Sequence, residues 1–242
     1  MDKKELINQG KVKSVYTTDN DDEVIIVFRD DMTAGDGARK EVMDKKGEYN
    51  AIISTKIFKV LEENGVKTQF IDLPENNVML AKKLEMIPIE VIVRNIATGS
   101  LVRKYPIEEG RKLDPPMVQM DFKDDEYHDP MLNDSLIQAL GIATPEEVKF
   151  LTETALKINE VLSNFFKEAG IILVDFKVEF GKDKDGNILL GDEISPDGCR
   201  LWDAETLDML DKELFREGKD SEVMAAYIEV YNRIIPDDEK VI

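Results

Sequence analysis

The chain has little sulfur chemistry and no long apolar run. Among its 242 residues there is one cysteine, Cys199, which excludes an internal disulfide framework and favours a reducing compartment. No stretch approaches the roughly 18 consecutive apolar residues of a membrane span, and the N-terminus has no apolar segment of a signal peptide. We therefore expect a soluble, cytoplasmic protein.

Positive charge is also scarce. The chain has 32 lysines and arginines against 51 aspartates and glutamates, a formal charge of -19 at pH 7. Nucleic acids and anionic membranes need a basic surface on their partner, so neither is expected here. Anionic small molecules remain possible ligands, because a site can be locally basic inside an acidic protein. The sequence lacks a Walker A motif and a Gly-x-Gly-x-x-Gly motif, so a bound nucleotide must be held by another device.

No repeat, Pro-rich linker or low-complexity tract divides the chain, and strand patterns come first while most helical patterns come later. Such an order predicts an α+β protein with a smaller N-terminal lobe. Thr144, Pro145 and Glu147 form a capping box that starts the clearest helix. The predicted strands are 11–17, Glu23–Phe28, 78–83 and 87–93, and the predicted helices are 50–64, 144–170, 204–216 and Asp220–Ile234.

Charged and apolar residues alternate strictly through residues 173–181. In a strand this places Asp175, Lys177 and Glu179 on one face and the apolar residues on the other. Asp185 and Gly186 precede a second apolar run at 188–190, which is a strong hairpin signal.

A two-residue loop would pair Lys184 with Asn187 and set Glu179 opposite Asp192, whereas a loop one residue longer would set Glu193 there. Facing carboxylates repel unless a cation lies between them, and two carboxylates with substrate phosphates are a usual magnesium site. The alternative is an antiparallel pair with one wet face. An EF-hand is excluded, because Gly181 would occupy its first ligand position and the flanks read as strands.

Several cations lie near turns or strand ends. Arg94, Gly99 and Ser100 follow an apolar strand and suit a phosphate group, although a polar turn would look the same. Lys11 and Lys13 lie two apart on the first predicted strand and could reach phosphates from one side. Arg200 follows Asp192 closely, through a turn at Pro196 and Gly198. His128, the only histidine, lies in a turn-prone loop and is not expected to act as a base.

Together these segments resemble the phosphoribosylaminoimidazole-succinocarboxamide synthase (SAICAR synthetase) family of purine biosynthesis. The resemblance covers nearly the whole chain and is carried by segments 10–13, 28–37, 87–94, 97–100, 173–181 and 191–197. It implies a two-lobed, kinase- or ATP-grasp-like fold, with a β-rich nucleotide-binding lobe at 1–84 and a larger lobe at 85–242. The implied homodimer would join L-aspartate to carboxyaminoimidazole ribonucleotide (CAIR), with ATP as co-substrate and Mg²⁺ as cofactor.

The resemblance also implies residue roles. Glu179 and Asp192 would hold Mg²⁺ and take part in nucleotide binding. Lys11 and Lys13 would contact the ATP phosphates, and the adenine would lie against the segment from Lys82 to Met86. The ribonucleotide phosphate would be bound by Arg94, Ser100 and Arg200, with Asp36 in the substrate pocket. L-aspartate and the carboxyimidazole would be bound by Lys123, Asp129, Asp175 and Lys177, of which Asp175 and Lys177 would be catalytic. Two other classes stay open, a small-molecule kinase with the same hairpin and a module that binds a divalent cation without nucleotide.

Overall fold

The computed structural model describes residues 3–35, 37–124 and 126–242, and the predicted substrate residue Asp36 lies outside these ranges. Strands dominate the first third and helices frame the rest, as the α+β prediction required. In chain order the elements are β1 (Leu6–Gln9), β2 (Lys13–Thr17), β3 (Glu23–Phe28), β4 (Asp31–Ala34), β5 (Arg39–Val42), α1 (Lys46–Glu63), β6 (Phe70–Glu75), β7 (Val78–Lys82), β8 (Glu85–Ile96), α2 (Ser100–Lys104), β9 (Lys112–Phe122), β10 (Met131–Leu132), α3 (Asp134–Ala139), α4 (Pro145–Glu168), β11 (Ile171–Lys182), β12 (Ile188–Gly191), β13 (Cys199–Asp203), α5 (Glu213–Arg216) and α6 (Asp220–Ile234).

Two main sheets organise the molecule. The first has the antiparallel order β1-β2-β3-β7-β6, and all of its strands lie within residues 6–82. The second has the order β10-β9-β8-β11-β12, and β13 pairs with the same edge of β11 as β12, farther toward the start of the strand. Strands β4 and β5 form a separate hairpin. Only residues 83–84 separate the last described strand of the first sheet from β8.

One continuous apolar core joins the two sheets. Helix α1 begins at Lys46, earlier than predicted, and packs against α6, where the rings of Tyr49 and Tyr231 meet edge to face at 5.3 Å. Gly47 allows this start, because a Cβ there would lie 2.6 Å from the carbonyl oxygen of Phe28. Helix α4 keeps its predicted capping box, in which Glu147 N donates to Thr144 Oγ1 and Thr144 N donates to Glu147 Oε2.

The prediction of a helix over 204–216 is wrong for most of its length. Strand β13 ends at Asp203, and Asp203 Oδ1 accepts the backbone N–H groups of Glu205 and Thr206, each at 2.8 Å. These side-chain bonds turn the chain before a helix can form, since Asp offers the backbone an alternative to helical hydrogen bonds. Only α5, a single turn, is helical in that segment. Helix α6 matches its predicted bounds. Among the described helices, none is long and apolar enough to span a membrane.

Candidate active site

Two adjoining cavities open beside the charged residues of β11. The larger, about 450 Å³, is lined by the guanidinium groups of four arginines and is called the arginine cavity. The smaller, about 300 Å³, is lined by the carboxylates of Glu179, Asp192 and Glu193 and is called the carboxylate cavity. The arginines of the first are Arg94, Arg103, Arg200 and Arg216, and the residues common to both cavities are Lys11, Thr33, Glu90, Asp129, Lys177, Asp197, Gly198 and Lys212.

The charged face of β11 is not a wet surface. Asp175 is 4% exposed and Glu179 is 1% exposed, so the alternative of a solvent-facing sheet is wrong. Buried carboxylates must be paired, because an isolated charge in the interior is costly. The strand alternation was therefore predicted correctly, but its charged side forms the floor of a site.

Asp175 organises the arginine cavity. It lies between Arg94 of β8 and Arg200 of β13 in the sheet register, and its Oδ2 accepts from Arg94 Nη1 at 2.7 Å and from Arg200 Nη1 at 2.9 Å. Arg94 Nη2 also donates to Ser100 Oγ at 3.0 Å. Arg94, Ser100 and Arg200, which were predicted to share one ligand, thus lie together. Arg94 lies within β8 and not beyond its end.

Gly99 permits this arrangement. It has φ +59°, and a Cβ at this position would lie 2.6 Å from Arg200 Cζ. The motif of residues 97–100 therefore requires glycine for two reasons, a left-handed backbone and the close approach of a guanidinium.

The hairpin register differs from both predicted alternatives. Glu179 pairs with Gly191, and the loop spans 184–186 because Asp183 N donates to Asn187 O at 3.0 Å. Neither Asp192 nor Glu193 faces Glu179 within the ladder. The prediction assumed a two-residue turn, whereas Asp183 Oδ1 also accepts from Asp185 N at 3.0 Å and Asn187 N at 2.8 Å, which stabilises a longer loop.

Asp192 lies just beyond β12 in a left-handed conformation with φ +57°. Its carbonyl oxygen accepts from Gln69 Nε2 at 2.7 Å, which ties this unusual backbone to the residues before β6. Its carboxylate enters the cavity that Glu179 also lines. Asp192 therefore reaches the cavity of Glu179 through its left-handed backbone just after β12, and not by pairing with Glu179 across the hairpin.

Lysines neutralise the carboxylates of this cavity. Glu179 accepts from Lys123 and, at 3.1 Å, from Lys177, while Lys177 also donates to Glu90 at 2.5 Å. Burial by itself would lower the pKa of Lys177, whereas the negative charges of Glu179 and Glu90 raise it. The carboxylates outweigh burial, so the pKa of Lys177 lies above its usual value. This ammonium group stays charged at neutral pH.

Lys13 pairs with Asp192 and lies 3.0 Å from Glu193 Oε2. Burial opposes ionisation of Asp192, but Lys13, Lys177 and Lys123 outweigh it and hold the pKa of this carboxyl below its usual range. Burial raises the pKa of the Glu193 carboxyl, which Lys13 only partly offsets. Asp192 is thus the more firmly ionised of the two neighbours. Within the described ranges, no three His, Cys, Asp or Glu side chains gather as a metal-binding group.

Of the remaining predicted residues, Lys11, Lys123 and Asp129 line the cavities, whereas Lys82 and Met86 do not. Lys11 lines both cavities but lies in the bend before β2, so the expected pairing with Lys13 along one strand is wrong. Lys123 lines the carboxylate cavity, and Asp129 lines both cavities. Lys82 ends β7 with its Nζ 3.4 Å from Thr68 O, and Met86, 39% exposed, packs where Gly181 and Gly191 leave room.

A buried ion pair escaped the sequence reasoning. Lys46 Nζ lies 2.7 Å from Asp197 Oδ2, both side chains are almost fully buried, and Tyr227 donates to Asp197 Oδ1. Burial opposes ionisation of Asp197, but Lys46 and Lys212 lower its pKa to about 2. Lys46 and Tyr227 lie far from Asp197 in sequence, and only Asp197 itself belonged to a recognisable motif.

The chain is similar throughout its length to proteins of one family. Residues 6–234 match the family model described as SAICAR synthetase. A phosphoribosylaminoimidazole-succinocarboxamide synthase of Methanobrevibacter smithii is 83% identical over 100% of this chain and 99% of its own length. The synthase of the same name from Methanocaldococcus jannaschii is 58% identical over 96% of this chain and 95% of its own. A solved structure of a SAICAR synthetase (Type-2) in complex with ADP superimposes with a TM-score of 0.92 at 47% identity, covering 97% of this chain and 99% of that one.

Proposed function

The chain belongs to the SAICAR synthetase family, and from this premise we propose how its residues divide the reaction among them. The enzyme is an ATP-dependent ligase that joins L-aspartate to CAIR in purine biosynthesis, with SAICAR, ADP and phosphate as products. The observation that carries the assignment of roles is the pair of adjoining cavities. Arginines line one of them, the carboxylates of Glu179, Asp192 and Glu193 line the other, and several residues line both.

The carboxylate cavity is the proposed site of the ATP phosphates. Lys13 and Lys11 would contact phosphate oxygens, and the adenine would lie against the segment from Lys82 to Met86, next to the linker between the two sheets. Support for this placement comes from the lysines that line the cavity and from the complex of a 47% identical relative with ADP. Triphosphate binding would replace Asp192 and Glu193 as the main partners of Lys13.

The donor set of this cavity fits a magnesium ion. Glu179 and Asp192 supply two carboxylates, and Mg²⁺ is usually held by one or two carboxylates with phosphate oxygens and water completing its shell. The low pKa of Asp192 keeps that ligand ionised. A bound Mg²⁺ would neutralise charge that develops on the phosphoryl oxygens during transfer.

The arginine cavity is the proposed site of CAIR. Arg200 and Ser100 would bind the ribonucleotide phosphate together with Arg94, whose guanidinium is already fixed by Asp175. A planar guanidinium can grip a phosphate through two parallel hydrogen bonds. The substrate pocket would also include Asp36. Asp175 lies beneath both guanidiniums, so its contribution to catalysis would be to hold them in position.

The reaction would proceed at the wall between the cavities. A carboxylate oxygen of CAIR attacks the γ-phosphorus of ATP, the bond to the β-phosphate oxygen breaks and ADP leaves. The aspartate amine then attacks the carbonyl carbon of the acyl phosphate, a C–N bond forms, and phosphate departs as the amine loses its proton. Lys177 would face the charge that develops on the transferred group, while Lys123 and Asp129 would orient L-aspartate.

A product assay with ATP, CAIR and L-aspartate tests this function. We expect SAICAR, ADP and phosphate in equal amounts only when all three substrates are present. Without aspartate, ADP formation should stop after about one equivalent per enzyme, since the acyl phosphate then has no amine to react with. Continued ADP formation without aspartate would instead identify a kinase, and no reaction with all three substrates would exclude the ligase.

Two broader expectations also belong to the proposal. We propose a homodimer, as the family resemblance implies, which light scattering of the purified protein measures directly. We also propose a cytoplasmic enzyme, because the buried free thiol of Cys199 suits a reducing compartment and ATP is a substrate.

A further inference from the structure

Lys212 is a lysine at the wall between the two cavities. It precedes α5, it is partly buried, and it lines both cavities. Its backbone is fixed, because Lys212 N donates to Pro196 O at 3.1 Å. Across the described ranges its Nζ makes neither a hydrogen bond nor an ion pair.

The described carboxylates near Lys212 are engaged by other groups. Asp197 faces Lys212, but its Oδ2 contacts Lys46 and its Oδ1 accepts from Tyr227. Glu193 lies beside Lys13. Glu213, the next residue in the chain, pairs with Arg200 at 3.1 Å and with Arg216 at 2.6 Å. Within the described part of the chain, the wall therefore carries a cation that no carboxylate holds by a hydrogen bond or an ion pair.

Partial burial of the Lys212 ammonium group, without a hydrogen bond or ion pair to any described residue, is unfavourable. Burial lowers the pKa of Lys212, and the charges that face it are mixed, with Asp197 and Glu193 favouring the charged form and Arg216 and Lys46 opposing it. A ligand anion would remove this penalty when it arrives. The other shared lysines differ from Lys212, because Lys177 is bound by Glu90 and Glu179, and Lys11 also has an interaction.

We propose that Lys212 contacts the phosphoryl group while it passes from ATP to the carboxylate of CAIR, and is therefore a further catalytic residue. This inference rests on the proposed division of the cavities between the two substrates. Only the wall between them touches both the donor and the acceptor, so a cation placed there meets the transferred group at the moment of transfer. Charge that develops in a transition state is best stabilised by a cation already in place.

Lys212→Met tests the proposal, with Lys219→Met as the matched control. Lys219 is an exposed lysine that pairs with Glu217 outside both cavities. Rapid-quench single turnovers with enzyme in excess over ATP measure ADP formation, and calorimetry measures the dissociation constants of ADP and CAIR. Removing one preorganised donor typically costs about 100-fold or more in rate, so we expect that loss for Lys212→Met and none for Lys219→Met. Both dissociation constants should stay within about threefold of wild type.

The pH profile separates catalysis from a structural role. The transfer rate should fall as pH rises through the pKa of Lys212, because the charged form is the active one. Lys212→Arg keeps its charge at all relevant pH values, so its basic limb should move to higher pH even if its rate is lower. If Lys212→Met does not fold, Lys212→Gln with Lys212→Arg provides the same comparison.

The outcomes distinguish this proposal from the function itself. A wild-type enzyme that makes no SAICAR overturns the proposed function. An active wild type with Lys212→Met within about threefold of its rate overturns only the role of Lys212. The role is also overturned by a loss confined to the KM for CAIR, or by an unmoved basic limb in Lys212→Arg.

Discussion

Glu179 shows how one residue can serve both stability and chemistry. It is buried at 1% exposure and bound by two ammonium groups, from Lys123 and Lys177. From the sequence, we expected repulsion from a facing carboxylate, which its loss would have relieved. The observed lysines reverse that expectation, because removing the buried carboxylate takes a partner from both Lys123 and Lys177.

Glu179→Gln should therefore abolish SAICAR formation and also destabilise the fold. The loss of a charged partner in a buried pair should lower the free energy of unfolding by about 1 to 3 kcal/mol. Urea unfolding followed by circular dichroism measures the stability, and the product assay measures the activity. Glu153→Gln, an exposed residue of α4 whose contact with Lys149 is 3.8 Å long, is the control and should change neither.

A fall in activity of less than about tenfold, which corresponds to roughly 1.4 kcal/mol of transition-state stabilisation, would remove Glu179 from the proposed magnesium site. Unchanged stability in Glu179→Gln would mean that Lys123 and Lys177 find other partners when the charge is lost.

At the scale of elements, three adjacent strands place Arg94, Asp175 and Arg200 in one row. The central β11 carries the carboxylate, and β8 and β13 bring an arginine from either side. Strand β13 was not predicted, because its five residues precede a segment that looked helical. The row exists only because β13 turns back onto β11 through residues 195–198.

The two arginines of this row should respond differently to substitution by lysine. Arg94 has a side-chain exposure of 3%, whereas Arg200 has 15% and faces the cavity from under Gly99. Lysine retains the charge but not the planar fork. We expect Arg200→Lys to raise the KM for CAIR by about 5- to 150-fold, equivalent to about 1 to 3 kcal/mol for charge-assisted bonds, with an unchanged KM for ATP.

Arg94→Lys should raise the same constant and also lower the free energy of unfolding, because Asp175 and Ser100 lose buried hydrogen bonds. Steady-state kinetics with each substrate varied, together with thermal melting, tests both variants. If Arg200→Lys impaired only the use of ATP, the arginine cavity would be the ATP site and the carboxylate cavity would be the CAIR site.

At the scale of the whole molecule, the formal charge of -19 acts against compactness. Like charges spread over a surface repel one another, and salt screens this repulsion over a shorter distance as its concentration rises. The exposed ion pairs are weakened by the same screening, but each contributes only about 0 to 1 kcal/mol.

Stability should therefore rise with salt. We expect the free energy of unfolding in urea to increase by on the order of 1 kcal/mol between 0.02 M and 0.5 M KCl, because net repulsion outweighs the surface pairs. NaCl at the same concentrations controls for specific binding of potassium. A decrease in stability with either salt would show that the ion pairs dominate over the net repulsion.

The sequence by itself determined the features that depend on neighbours along the chain. Alternation specified β11 and a capping box began α4, because these signals involve residues only a few positions apart. Family motifs identified the ligase and brought Arg94, Ser100, Asp192 and Arg200 to attention. The tertiary structure decided the hairpin register, the burial of the charged face of β11, the Lys46–Asp197–Tyr227 contact and the place of Lys212 at the wall between the two cavities. Each of these depends on groups that are distant in sequence and brought together by packing, and local periodicity carries no information about such partners.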